Sequence, residues 1–194
     1  MLIEYVLTRI EPTWVIIPIL LVGFAINSAH PIAHYLPGIQ LLYLPAGLQV
    51  LAIFVYDARG VLPVALATTL GLTLFSWHGS IDLNTVGLIS LYALLSAQAL
   101  FWILSITSQL TGLNDTLKGL NFRDVVLVTA TQSVLDAGLR LSLFHWLRFD
   151  PRYQDMNAPE VIHYLLALST GNLLGAMTII LLLLVSASAF RVAR

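Results

Sequence analysis

The sequence predicts an all-α integral membrane protein, a polytopic bundle of about six transmembrane helices with both termini cytoplasmic. Three observations predict it. Only 10% of the 194 residues are charged and 58% are hydrophobic, whereas soluble domains carry about 25% charged residues, enough to cover a water-facing surface. Six runs approach the roughly 20 apolar residues that cross a bilayer. Lys and Arg are divided unequally between alternate connections, which sets orientation.

The first run, residues 14–29, is a retained helix. Glu4 and Glu11 spoil the positive region of a cleavable signal, and no A-x-A site closes the run. The second, 41–56, is short and opens on Pro45-Ala46-Gly47. Proline suits a first helical turn, where its missing N–H is not needed. Gly47 admits another backbone or a ligand at close range. Irregular backbone at membrane depth must face protein or a water-filled cavity, so this element, with Gln49 behind it, points inwards. The run ends at Asp57 and Arg59, with Gly60 expected to turn the chain into the third run, 61–77. The fourth covers 84–107 and the fifth 125–147. The sixth, 161–190, is long, and its first turns are expected outside the hydrocarbon. The loops are short and no internal repeat is present, so residues 1–194 read as one transmembrane domain.

With the N-terminus inside, the cytoplasmic segments hold Arg9, Arg59, Lys118, Arg123, Arg191 and Arg194. The outer loops hold Arg148 and Arg152. His30, His34, His78, His145 and His163 then all lie towards the outer face, beside Asp82, Asp150, Asp155 and Glu160. The net charge of −1 offers no basic patch for nucleic acid. The absence of cysteine excludes disulfides and thiol chemistry.

The most informative polar residues lie in the fifth run. Asp136 is near mid-membrane, and Arg140 and Gln132 stand four residues to either side. At that spacing they share a helix face, and Asp136 and Arg140 can pair. Intramembrane charges are costly and face the bundle interior, where they mark function or fix packing. If the pair is structural only, replacing both residues with Leu restores folding. In the sixth run, Gly171 and Gly175 form G-x-x-x-G, which lets helices approach closely, and Asn172 between them can bond across the bundle. The intramembrane candidates for ligand binding are therefore Gln49, Gln132, Asp136, Arg140 and Asn172. Those for packing are Pro45, Gly47, Gly171 and Gly175. His30 and His34 are spaced as an i, i+4 metal pair on a helix, with His78 as a third candidate. Pro31 and Pro37 disturb that helix, so no metal or other cofactor is expected. Trp14, Trp77, Trp102 and Trp146 fit interfacial belts.

The stretch "LYLPAGLQVLAIFVYDARGVLPVALATTLG" resembles the membrane-associated sensor (MASE-type) domains of bacterial signalling proteins, through Pro45, Ala46, Gly47, Arg59, Gly60, Pro63 and Gly71. Gly171-Asn172-Leu173-Leu174-Gly175 is similar to that family's late G-D-x-x-G element, with Asn for Asp. The resemblance implies a shortened, stand-alone sensor or accessory protein of the inner membrane. It would be non-enzymatic and would signal by contact with another membrane protein or a second copy. Two alternatives remain. The substrate-capturing subunits of energy-coupling-factor vitamin transporters have similar dimensions, and Ala25-x3-Ala29 resembles their docking surface. An outer-face enzyme would use the His, Asp and Glu set.

Overall fold

Large apolar side chains line the outside of this molecule as well as its core, and polar ones are buried among the helices. Leu62, Leu66, Leu70 and Leu74 form an exposed stripe along one helix face, and Trp14, Ile19, Val22, Leu91, Trp102 and Leu166 are likewise exposed. Thr68, Ser96, Thr129, Gln132, Ser133, Asp136 and Asn172 are buried. Water would penalise this arrangement, whereas hydrocarbon favours it on both counts.

The computed structural model describes residues 11–29, 34–36, 39–40, 42–76, 81–110, 122–143 and 156–192. They form α1 (Pro12–Ala29), a hairpin of β1 (His34–Leu36) and β2 (Ile39–Gln40), α2 (Leu44–Tyr56), α3 (Ala58–Gly71), α4 (Leu83–Leu110), α5 (Phe122–Leu141) and α6 (Ala158–Val192). A π-helical turn, Leu72–Ser76, prolongs α3. Among the described residues, four helical stretches are long and apolar enough to cross a membrane: Pro12–Ala29, Ala58–Phe75, Leu83–Gln109 and Ala158–Leu182. The other two helices fall short for different reasons. At 13 residues, α2 spans about 20 Å of the roughly 30 Å hydrocarbon layer. Helix α5 is long enough, but it carries Arg123, Asp124, Asp136 and Arg140.

Helix ends are set by local chemistry. Asp82 accepts hydrogen bonds from the Thr85 hydroxyl and from the Thr85 N–H, the latter at 2.7 Å. They cap α4 and hold the Asp82 carboxyl below the usual range. At α6, Asn157 and Glu160 form a reciprocal capping box, each side chain accepting the other's backbone N–H at 3.0 and 2.9 Å.

The expected turn at Gly60 is made elsewhere. A single residue, Asp57, separates α2 from α3, with φ 57° and ψ −142°. Gly60 lies inside α3, where a Cβ would come within 3.1 Å of the Ala52 carbonyl oxygen. Asp57 is the only described non-glycine residue with positive φ, a conformation that costs about 1–3 kcal/mol. Asp57→Gly is therefore expected to stabilise the protein by about 0.5–1 kcal/mol, net of the extra unfolded-state entropy of glycine. Thermal unfolding in detergent measures it, and a lower midpoint would refute the strain.

Two apolar clusters fill the bundle, and each takes opposite halves of consecutive helices. One holds Ile16 and Leu20 of α1, Ile53 and Tyr56 of α2, Val61 and Val64 of α3, Leu100 and Leu104 of α4, and Val128 of α5. The other holds Phe24, Tyr43, Leu72, Ile89, Tyr92, Ala137, Leu141, Tyr164 and Leu168. Between them along α2, α3 and α5 fall Gln49, Thr68, Gln132 and Asp136, and Ser96 and Asn172 join these in a buried polar layer.

Candidate functional site

The polar layer is built where α2, α4, α5 and α6 meet. Beside it lies the broken start of α2. Tyr43 has non-helical dihedrals, φ −96° and ψ 82°, and Pro45 occupies the first turn, so α2 begins at Leu44 rather than residue 41. Each backbone donor there finds a partner. The Tyr43 N–H donates to the Gly171 carbonyl of α6 at 3.0 Å. The Leu44 N–H donates to Asn27 Oδ1 of α1 at 2.9 Å. Pro45 has none to place, and the Ala46 N–H returns to the Tyr43 carbonyl at 3.1 Å. Backbone broken at membrane depth is thus fully paired with protein.

Glycine makes this approach possible. A Cβ on Gly175 would collide with the Tyr43 carbonyl group, and one on Gly47 would lie 2.8 Å from Ala176 Cα and from Ile179 Cβ. The G-x-x-x-G face of α6 therefore receives the Pro-Ala-Gly element of α2 within the chain. Phe24 closes the same end, edge-on to Tyr43 with ring centroids 5.8 Å apart.

Asp136 of α5 is the centre of the layer. Its carboxylate accepts from the Tyr92 hydroxyl at 2.9 Å to each oxygen, from the Ser96 hydroxyl at 2.5 Å and from Asn172 Nδ2 at 2.9 Å. The residue is nearly withdrawn from solvent, so these bonds replace the water a carboxylate would otherwise require. They also tie three helices together, since Tyr92 and Ser96 are on α4 and Asn172 on α6. Gln132, one turn before Asp136, donates Nε2 to the Ser96 carbonyl at 3.2 Å and to the Ser96 hydroxyl oxygen at 3.3 Å. Gln49 donates Nε2 to Thr68 Oγ1 at 2.8 Å, which joins α2 to α3. Arg140 is half-buried one turn beyond Asp136, within electrostatic range of Tyr43 and Tyr92.

Four of the five polar candidates therefore meet at one place: Gln49, Gln132, Asp136 and Asn172, with Ala46 and Ala176, line a single small cavity. Its volume, measured as room for the centre of a water molecule, is ≈ 10 Å³, about that of one water. Tyr92, Ser96, Asn27 and Thr68 are the functional residues that sequence reasoning missed. The Tyr92-x3-Ser96 spacing on α4 was the available signal, since it matches the Gln132-x3-Asp136 spacing that it faces. A wider groove of ≈ 120 Å³ lies between α1 and α2, lined by Val15, Ile19, Leu48, Leu51, Val55 and Tyr56. It is almost wholly apolar, so it can hold hydrocarbon but offers little to do chemistry with.

The two described histidines, His34 and His163, do not belong to a metal-binding group. His34 begins β1 instead of continuing a helix from α1, so the i, i+4 presentation expected with His30 does not form. His30 and His78 lie outside the described residues, as do His145, Asp150 and Asp155. His163 is exposed on α6. Among the described residues, no group of three His, Cys, Asp or Glu side chains is placed to hold a metal. The chain matches no protein-family model, no curated protein and no solved structure.

Proposed function

We propose that this chain is a non-enzymatic sensor or accessory protein of the bacterial inner membrane, which crosses the bilayer six times with both termini cytoplasmic and binds a partner protein within it. The observation that carries this reading is the Asp136 junction. A carboxylate held in the apolar interior by donors from two other helices is expensive to maintain and is a functional element by default. Because it ties α4, α5 and α6 together, any change in its occupancy or charge alters how three helices pack. Such a change can be read only at their outer faces, which are apolar and lie in the plane of the membrane. The resemblance of the Leu42–Gly71 segment to membrane-associated sensor domains points the same way. In this reading α2 and α5 cross as members of the bundle. The exposed Arg59 at the α2–α3 corner is the cytoplasmic anchor.

A vitamin-binding transporter subunit is the second reading. The cavity is lined by four of the five intramembrane candidates for ligand binding, Gln49, Gln132, Asp136 and Asn172. Its size argues against that reading, since drug-sized ligands occupy pockets of roughly 300–1,000 Å³.

Purification from native membranes in mild detergent, with mass spectrometry of bound chains and ligands, tests the proposal. Near-stoichiometric recovery of another membrane protein, reduced in Asp136→Asn, is expected. Recovery of the chain alone, with a tightly held vitamin-sized molecule, would overturn it.

A further inference from the structure

The cavity at the polar junction holds acceptors that no described donor reaches. Asn172 Oδ1 and Gln132 Oε1 are buried and take no hydrogen bond from any described protein group. Their amide orientations are fixed by the network. Gln132 Nε2 must be the atom facing the Ser96 carbonyl, and Asn172 Nδ2 the atom facing the Asp136 carboxylate, because both partners only accept. The two orphaned atoms are therefore oxygens. Thr129 and Ser133, which also line the cavity, spend their hydroxyl protons on the carbonyls of Val125 and Thr129, at 2.7 and 2.8 Å. That leaves their oxygen lone pairs unused. Gln49 Nε2 is turned to Thr68. Gln132, Asp136 and Asn172 are 7%, 8% and 2% exposed, so bulk water does not satisfy them.

Two unpaired amide oxygens and two hydroxyl oxygens beside one carboxylate suit a positively charged occupant. We infer that the junction of Asp136, Gln132 and Asn172 is a binding site for a dehydrated, sodium-sized monovalent cation. Hard cations take oxygen ligands, and neutral amide and hydroxyl oxygens serve alongside a carboxylate. A cation of that size satisfies both orphaned amide oxygens at once and offsets the Asp136 charge in a medium where charge is costly. A divalent ion is disfavoured. Asp136 is the single carboxylate among the described residues that line the cavity, so a second positive charge would find no partner there. The room available, ≈ 10 Å³ for a water-sized centre, admits one such ion and no second layer of ligands. A single water is the competing occupant. It can donate to the two orphaned oxygens, but it brings no charge to set against the carboxylate.

This inference names the ligand class of the sensor reading and rests on that reading for its consequence, not for its chemistry. Cation binding is read on the purified protein and partner recovery on native membranes, so either can fail alone. The test is binding of radiolabelled sodium to the detergent-purified chain, with thermal unfolding in sodium, potassium or choline chloride at equal ionic strength. The expected result is near-equimolar, saturable binding, displaced by unlabelled sodium and not by choline. The unfolding midpoint should rise on the order of 5–10 °C at a hundred-fold excess over Kd. Asp136→Asn, which keeps the side-chain shape and removes the charge, should abolish both effects. Gln132→Met, which removes one oxygen ligand at similar volume, should weaken binding at least tenfold, and it carries the test if Asp136→Asn fails to fold. Arg59→Gln, on the exposed corner, should leave both effects intact. No sodium binding, or equal midpoints in sodium and choline, would overturn the inference and leave a cavity that holds water only.

Discussion

Asp136→Ala should destabilise the bundle by about 3–5 kcal/mol, more than any other single side-chain truncation in α5. The magnitude follows from what is stranded. Tyr92, Ser96 and Asn172 would each lose their acceptor in a buried, apolar setting, at about 1–3 kcal/mol per unsatisfied donor. Hydrogen bonds between membrane helices average only about 0.6 kcal/mol in double-mutant cycles, because the unfolded chain also finds partners. Counted that way, the three bonds total about 2 kcal/mol. The stranded donors raise the figure into the range for breaking a buried charge site. Asp136→Asn should cost less, about 1–2 kcal/mol, since its oxygen still accepts while its new amide faces donors. The double change Asp136→Leu with Arg140→Leu, expected to restore folding if the two residues form only a structural pair, should recover only part of the loss. It removes both charges but leaves the three donors stranded. Unfolding in detergent, by heat or by titrated denaturant, ranks the variants. A double mutant as stable as the wild type would show that the Tyr92, Ser96 and Asn172 bonds contribute little.

Gly175→Val should be the most disruptive change among the glycines, with a loss of about 3 kcal/mol or more. The atoms that a new side chain would meet are the carbonyl carbon and oxygen of Tyr43 and the Leu44 nitrogen. Backbone cannot rotate aside as a side chain can, so α2 would have to lift from α6. That movement breaks the 3.0 Å bond from the Tyr43 N–H to Gly171 and shifts Asn172 relative to Asp136. Overpacking alone costs about 1–3 kcal/mol, and the lost bond adds to it. Gly138 and Gly87 provide the contrast, because a Cβ at either meets nothing within 4 Å. Ala at those positions should be neutral or stabilising by up to about 1 kcal/mol, through helix propensity. Melting curves of the three variants decide. If Gly175→Val melts like the wild type but changes oligomeric state, the glycine face serves another copy of the chain and not α2.

Much of this arrangement was legible because bilayer chemistry is restrictive. Long apolar runs mark helices, and the few polar residues inside them have to meet. Asp136, Gln132 and Asn172 were visible on those grounds, as was the glycine pair beside Asn172. Tyr92 and Ser96 were not. A tyrosine and a serine in an apolar helix are ordinary, and only the neighbouring carboxylate gives them work. Asn27 was hidden at the end of α1, since its role is to accept the N–H of Leu44, seventeen positions later. The α2–α3 corner was misplaced for a related reason. Gly60 is the residue that tolerates positive φ, yet close packing on Ala52 and Tyr56 claims it, and Asp57 takes the strained position. His34 was read on helical spacing, but the chain leaves the helix before reaching it.

The one-residue joint at Asp57 also has a mechanical meaning. With no slack between Tyr56 and Ala58, α2 and α3 behave as two arms of one bent lever. A displacement where Pro45 and Gly47 press on α6 is not absorbed on the way down. It is delivered as tilt to α3, whose leucine-lined face turns outward along its whole length.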